Sequence, residues 1–531
     1  MEHIELLVFG LLVAVSALAV LARLAQVPYP ILLVLGGLVI GFIPGVPEVE
    51  LEPDLVLLIF LPPLLYAAAF FSNLRELRAN ARPIGLLAVG LVMATTVAVA
   101  VVAHVVIGLD WSVAFVLGAV VSPTDAVAPA TILRRLGAPR RVVSIVEGEN
   151  LTNDWTALVT YKFAVAAVAT GTFSLAEAVP EFLLTGLGGV ALGTLVGMVI
   201  SAVRRRLDDP LAEITISLLT AYAAYLPAEE LGLSGVMAAV TVGVVLGWQA
   251  SELTTPTTRI QLYAIWEILQ FLLNAVLFVL VGLQLPVVLE SIEGRSAGEL
   301  AGYGALIGML VILVRIAWVY AFAYLSGVVR DGVRGPSPIP AGGSVTLVAW
   351  SGMRGAVCLA AALAIPLETD SGASFPERDL VIFLAFCVIL LTLVGQGLAM
   401  PVLIRGLGVE DDGLDSDEEL RARVETAFAA LDQLERLTEL DWVHPDTARR
   451  VRGIYDHRRR RFSSRVDGAN PDEDDDTDYE GRAYAYSRLM REVIGAQRAK
   501  LRELRDEGII TDEVRRRVEY DLDLEEARLE G

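Results

Sequence analysis

Lysine is almost missing from this chain of 531 residues: of 42 basic side chains only Lys162 and Lys500 are lysines. There are four histidines and two cysteines. Cys358 and Cys387 both sit inside apolar runs, so no disulfide framework is on offer. Charge is scarce as well, at 20% against 55% hydrophobic residues; a soluble domain carries about 25% charged residues. The scarcity is uneven, because long apolar runs fill positions 1–407 and then stop. That pattern excludes an ordinary globular enzyme and a disordered scaffold. It indicates a polytopic membrane protein. The net charge of −21 disfavours a nucleic-acid partner.

Apolar runs of about 17–25 residues can cross a bilayer as helices. Thirteen are readable, centred on 4–22, 28–45, 53–71, 83–107, 112–133, 142–169, 178–203, 211–227, 233–249, 260–285, 300–326, 342–366 and 379–404. The first lacks a basic n-region and a small-residue cleavage site before a soluble domain, so it reads as a span and not as a signal peptide. Loop charge tests the count. One alternate set of loops holds fourteen arginines, from Arg23 to Arg334, and the other only Arg295 and Arg378. The positive-inside rule then places the N-terminus outside and the C-terminus in the cytoplasm.

The expected division is a membrane domain over 1–408 and an acidic helical cytoplasmic tail over 409–531. From Glu410 onward there are 34 acidic and 22 basic residues. Val424, Phe428, Leu431, Leu434 and Leu437 recur at helical spacing. The acidic run at 471–478 reads as a solvated linker between two helical stretches, the second over about 480–529.

An ionisable side chain deep in a span costs about 2.5–3.5 kcal/mol, so such residues mark function. The candidates are Asp125, Glu147, Glu149, Asp154, Lys162, Glu267, Arg315 and Arg354. In SPTDAVAPA (122–130), Pro123 and Pro129 each remove a backbone donor, so the helix breaks near Thr124 and Asp125. A proline kink with a snorkelling aspartate is the plainer alternative, but broken backbone at membrane depth survives only where it is buried in protein or lines a cavity. In EGENLTND (147–154), Glu147, Asn150 and Asp154 fall within about 40° on one helix face, with Glu149 and Asn153 on an adjacent one. Oxygen groups of this kind suit a hard cation, and burial raises the proton affinity of a carboxylate in general, so one group could take either ion. Glu147 could equally be a polar helix end in cytoplasmic water.

Arg315 and Arg354 are buried cations that need anionic partners, with Glu149 or Asp125 as candidates. Arg354 lies among Ser351, Gly352 and Gly355, small residues that permit a second break. Two broken spans, in corresponding positions of spans 1–6 and 8–13, point to inverted repeats and a transport site at the midplane. GLSG (232–235) has the form of an intramembrane serine nucleophile, yet the later histidines, His444 and His457, are in the tail; close helix packing at Gly232, Ser234 and Gly235 is the better reading. His3 and His104 lie near the outer surface and read as incidental. Glu267 reads equally as a structural partner or as a funnel-lining residue.

These segments resemble the monovalent cation/proton antiporters of the NhaP/NHE type. The resemblance spans about 1–407 and includes LPPLLYAAAF (61–70), SPTDAVA (122–128), EGENLTND (147–154), WEILQFLLNAVLFVLVGLQL (266–285) and SGMRGAVCLAAALAIP (351–366). It implies an all-α membrane protein of thirteen helices, with inverted six-helix repeats, two crossed broken helices, a core bundle and a dimerisation bundle. It implies that Asp154 is the carboxylate where cation and proton compete, next to Asn153, and that Asp125 and Thr124 help hold the ion. Asn150 stands where many members have serine and would supply a carbonyl oxygen. Thr152 and Trp155 replace the usual leucine and small residue. Glu149 would pair with Arg315, and Arg354 would compensate the half-helix dipoles.

The expected function is therefore electroneutral Na⁺/H⁺ antiport in pH homeostasis, with Na⁺ (or K⁺ or Li⁺) at Asp154, Asp125, Thr124 and Asn150. The expected setting is a homodimer in a prokaryotic plasma membrane, with no cofactor. It would be a secondary transporter and not an enzyme. The rivals are a K⁺/H⁺ antiporter on the same scaffold, a cation channel, and a sensor that signals through its tail.

Overall fold

A computed structural model describes residues 2–25, 27–43, 53–125, 127–171, 175–292, 295–330, 342–369, 372–409, 414–440, 442–466, 477–507, 509 and 512–530. The chain forms two compact units, Met1–Asp412 and Gly413–Gly531. Among the described residues both are helical, apart from one isolated bridge between Glu368 and Ser374.

The first unit runs α1 (Glu2–Ala25), α2 (Tyr29–Gly41), α3 (Pro53–Phe70), the short α4 (Leu74–Ala79) and α5 (Ala81–Ile107). The first broken span follows as α6 (Trp111–Val121) and α7 (Val127–Arg135). Then come α8 (Arg140–Thr170), α9 (Leu175–Arg204), α10 (Pro210–Glu230), α11 (Gly235–Leu253), α12 (Pro256–Ser291) and α13 (Ala297–Arg330). The second broken span is α14 (Gly343–Trp350) and α15 (Ala356–Leu363), and α16 (Arg378–Leu407) closes the unit. Each apolar run of the sequence falls on one of these helices or on a pair of short ones. Among the described residues, six segments are long and apolar enough to cross a membrane by length and composition, those within α5, α9, α10, α12, α13 and α16.

Local chemistry sets several boundaries. Asp209 and Ser234 cap α10 and α11 by accepting from the Leu211 and Met237 amides, while Thr255 caps α12 ahead of Pro256. At the other ends, Gly171 and Gly408 take left-handed backbone after α8 and α16.

Two bundles result. In one, α2 packs on α12, α3 on α11, and α9 on α11. In the other, α5, α6, α8, α13, α14, α15 and α16 pack around the two breaks. In lipid there is little hydrophobic drive between helices, so close backbone approach supplies the attraction. Glycines provide it in the first bundle: a Cβ on Gly37 would meet the Val279 carbonyl, one on Gly282 the Val34 carbonyl, and one on Gly247 the Phe70 carbonyl. The GLSG segment is one such joint. Ser234 caps α11, and a Cβ on Gly189 of α9 would sit 2.5 Å from the Ser234 carbonyl.

The second unit contains α17 (Leu414–Leu437), α18 (Pro445–Val466), α19 (Thr477–Asp506) and α20 (Asp512–Glu530). The sequence suggested two helical stretches; each is in fact divided. Pro445 starts a new helix after Thr438–His444, and α19 and α20 pair as a second hairpin, through Arg498 to Asp523 and Glu526, each at 2.5 Å. Of the acidic run, 471–476 lie outside the described residues. The first hairpin is held by Arg423 over Phe462 and Arg459 over Phe428.

Candidate cation and proton site

The two broken spans meet at their breaks. The Asp125 amide donates to the Met353 carbonyl at 2.8 Å, and the Cys358 thiol to the Pro123 carbonyl at 3.3 Å. Glycine permits this contact: a Cβ on Gly355 would lie 2.6–2.9 Å from Cβ, Cγ and Oδ2 of Asp125.

Breaking a helix strands carbonyls at one end and amides at the other. Three of the four exposed ends have a side-chain partner here. Arg354 Nε donates to the last carbonyl of α6, Val121, at 3.2 Å. Arg315 donates to Val348 near the end of α14, from Nε at 3.2 Å and Nη2 at 3.0 Å. Asp125 Oδ1 accepts from the first amide of α7, Val127, at 3.2 Å. Both arginines are wholly buried.

Arg315 also forms a two-pronged ion pair with Glu149, at 2.5 and 2.8 Å. Of the two anionic partners left open by the sequence, the pair therefore uses Glu149. Thr124 Oγ1 donates to Glu149 at 3.1 Å and accepts from Asn153 Nδ2 at 2.8 Å, while Asn153 also reaches the Thr124 carbonyl at 3.3 Å. Thus Glu149 and Asn153 turn one face of α8 to the crossing.

The adjacent face of α8 opens on a cavity of about 780 Å³, lined by Glu147, Asn150 and Asp154, with Asp125, Tyr29, Thr131, Glu267, Gln270 and Asn274 around it. The two faces inferred from helical spacing are therefore separate in space. Asp154 is buried and makes no ion pair or hydrogen bond among the described residues; its Oδ1, Asp125 Oδ2, Asn150 Oδ1 and Asn153 Oδ1 are all buried acceptors without partners. Orphaned buried oxygens are rare and call for an explanation. Three of the four belong to residues on one cavity, a set suited to an ion that accepts oxygen ligands. Asp125 is close enough to Asp154 for their charges to interact.

Not every sequence candidate joins this constellation. Thr124 is held between Glu149 and Asn153 and does not line the cavity. Glu147 lines it but is paired with Arg134 at 2.6 Å. Lys162 pairs with Glu229 at 3.0 Å and is largely exposed. His104 Nδ1 bonds the Leu109 carbonyl at 2.7 Å and the ring stacks on Trp111.

Sequence reasoning missed a buried ion pair. Arg204, counted above with the loop arginines, is wholly buried 3.6 Å from Glu213. Beside it Ser217 accepts from Trp266 Nε1 at 3.1 Å and bonds the Tyr66 hydroxyl at 3.2 Å. The spacing of Arg204 and Glu213 across a short turn was the available signal.

Comparison with known proteins agrees with this geometry. The transmembrane sodium/hydrogen exchanger profile matches residues 10–406. An uncharacterized Na⁺/H⁺ exchanger of Mycobacterium tuberculosis is 38% identical over 98% of this chain and 97% of its own. A sodium, potassium, lithium and rubidium/H⁺ antiporter of Bacillus pumilus is 35% identical over 76% of this chain and 61% of its own. The solved sodium/proton antiporter MjNhaP1 of Methanocaldococcus jannaschii shares the fold, with a TM-score of 0.60 at 20% identity over 77% of this chain and 99% of that one. Profile, relatives and fold coincide on the region that carries the crossing: this chain belongs to the sodium/hydrogen exchanger family, multi-pass membrane transporters that exchange monovalent cations for protons.

Proposed function

We propose that the protein is an electroneutral Na⁺/H⁺ antiporter in which Na⁺ and H⁺ compete for Asp154. The observation that carries this reading is the set of unpartnered oxygens on Asp154, Asp125 and Asn150 around one cavity. Every other strong charge at the crossing is committed. Glu149 and Arg315 neutralise each other, Glu147 is matched by Arg134, Arg354 faces a half-helix carbonyl end, and Asp125 faces a half-helix amide end. Asp154 is the carboxylate left to exchange. With a proton on it the cavity holds no bound cation; without one, Asp154, Asp125 and Asn150 offer oxygens to Na⁺. Thr124 and Asn153 act through position, fixing α8 against the first break.

In this reading the thirteen apolar runs are thirteen spans in inverted six-helix repeats, with the N-terminus outside and the C-terminus in the cytoplasm. The α5–α8 and α13–α16 bundle moves against the α2, α3 and α9–α12 bundle, which carries the dimer contact. Residues 1–408 transport and 409–531 form a cytoplasmic tail. A K⁺/H⁺ variant is the second reading, favoured by the potassium in the name of the Bacillus relative and by the weaker carbonyl oxygen of Asn150.

The test is pH-dye fluorescence in acid-loaded proteoliposomes given Na⁺, Li⁺ or K⁺, with and without a clamped membrane potential. Wild type should show cation-dependent recovery, insensitive to the clamp, and Asp154→Asn none. The order of the three ions identifies the substrate. Recovery by Asp154→Asn at the wild-type rate would refute the assignment.

A further inference from the structure

The cavity has a second wall, and it too carries a polar stripe. On α12, Glu267, Gln270 and Asn274 follow the i, i+3, i+7 pattern of one helix face, and all three line the cavity that holds Asp154. Seven residues of helix place Asn274 about 10 Å along the axis from Glu267. Glu267 is exposed, and it makes no ion pair or hydrogen bond among the described residues. The other carboxylate at this end, Glu147, is neutralised by Arg134. Asn274 donates its amide nitrogen to the Gln270 carbonyl at 2.8 Å, which fixes its side chain against its own helix. A polar row inside an otherwise apolar span (Ile268, Leu269, Phe271, Leu272 and Leu273 intervene) is costly in a membrane unless it faces water or an ion.

Resting on the antiport reading above, we propose that Glu267 is the docking carboxylate for the incoming cation, and that Gln270 and Asn274 are positioning residues that pass it along α12 toward Asp154. Glu267 is exposed where Asp154 is buried, so an ion entering the cavity meets it first, and its place on the opposite bundle keeps it out of the competition with the proton at Asp154. Its contribution is to raise the local cation concentration at the cavity mouth. A unit charge about 10 Å from the ion in a partly solvated cavity changes its occupancy by about fourfold.

The experiment is the proteoliposome assay on full-length protein, with initial rates measured over a range of Na⁺ for wild type, Glu267→Gln, Glu267→Asp and Asn274→Leu. Glu267→Gln should raise KM about fourfold with a smaller change in maximal rate, Glu267→Asp should restore most of the affinity, and added choline chloride should raise KM in wild type more than in Glu267→Gln. Asn274→Leu should raise KM without altering the salt response. An unchanged KM in Glu267→Gln, or a fall in maximal rate with constant KM in both Glu267 variants, overturns the proposal. If Glu267→Gln fails to fold, Glu267→Ala, which also removes the charge, is read by the same criterion. Wild-type liposomes without cation-dependent recovery would instead overturn the antiport reading itself.

Discussion

The Glu149–Arg315 pair lends itself to a double-mutant cycle. Arg315 donates four hydrogen bonds, two to Glu149 and two to the Val348 carbonyl, and neither side chain is more than 2% exposed. Removing one partner leaves the other charge buried and unpaired, at a cost of about 3–5 kcal/mol. Glu149→Leu and Arg315→Met should each lose that much. If the two losses were independent they would add to about 6–10 kcal/mol. They are not independent, because the double variant contains no orphan charge. What remains uncompensated is the Val348 carbonyl and one lost acceptor for Thr124, at about 1–3 kcal/mol each, partly offset by the desolvation that the pair no longer suffers. The double variant should therefore lose about 1–4 kcal/mol, no more than either single. Unfolding in mixed micelles against increasing denaturing detergent, followed by tryptophan fluorescence, measures all four corners. A double loss near the sum of the singles would refute the assignment of this pair as one coupled unit.

Gly355→Ala places a methyl 2.6–2.9 Å from Asp125, and overpacking of this kind costs about 1–3 kcal/mol; cation-dependent pH recovery should fall about tenfold in protein that still elutes as a single species, and wild-type rates would count against the crossing geometry. Arg204→Met strands Glu213 in the first bundle and should destabilise by about 3 kcal/mol in the same unfolding assay, whereas Arg204→Met with Glu213→Leu should recover most of the loss. Competition at one carboxylate fixes the sign of the pH effect: in the range where the site is mostly protonated, each unit of acidification on the cation side should raise the half-saturating Na⁺ about tenfold. A KM independent of pH, with only the maximal rate changing, would mean that proton and cation occupy different groups.

The architecture was legible because bilayer thickness writes itself into run length and proline writes itself into breaks. Pro123 marked the first break, and Gly352 and Gly355 marked the second. The two faces of EGENLTND were legible from helical period alone, since Glu147, Asn150 and Asp154 share the cavity while Glu149 and Asn153 share the crossing. What spacing could not supply was long-range choice. Nothing local says that Arg315 takes Glu149, 166 residues away, or that Glu267 lines the same cavity as Asp154. Arg204 was misread for the same reason: charge near a helix end normally marks a loop, and only the fold of α9 against α10 buries it. In the tail, helical period was visible, but the turn before Pro445 was passed over because both flanking segments are amphipathic.

Coupling one cation to one proton demands more than a carboxylate in a cavity. A second exchangeable charge would make each cycle electrical, at about 2.3 kcal/mol per charge for every 100 mV. Asp125 is the residue that could add one, since it lies near Asp154 and has an unpartnered oxygen of its own. Its other oxygen, however, accepts from the Val127 amide, and the start of α7 supplies a partial positive charge that stays with it in either state. In the antiport reading Asp125, tied to the start of α7, is the fixed member of the pair, while Asp154, with no such partner, carries the exchange. Asp125→Asn should then raise KM for Na⁺ by weakening the site, yet leave exchange insensitive to a clamped membrane potential. If the potential drove exchange in wild type and ceased to do so in Asp125→Asn, both carboxylates would be exchanging protons.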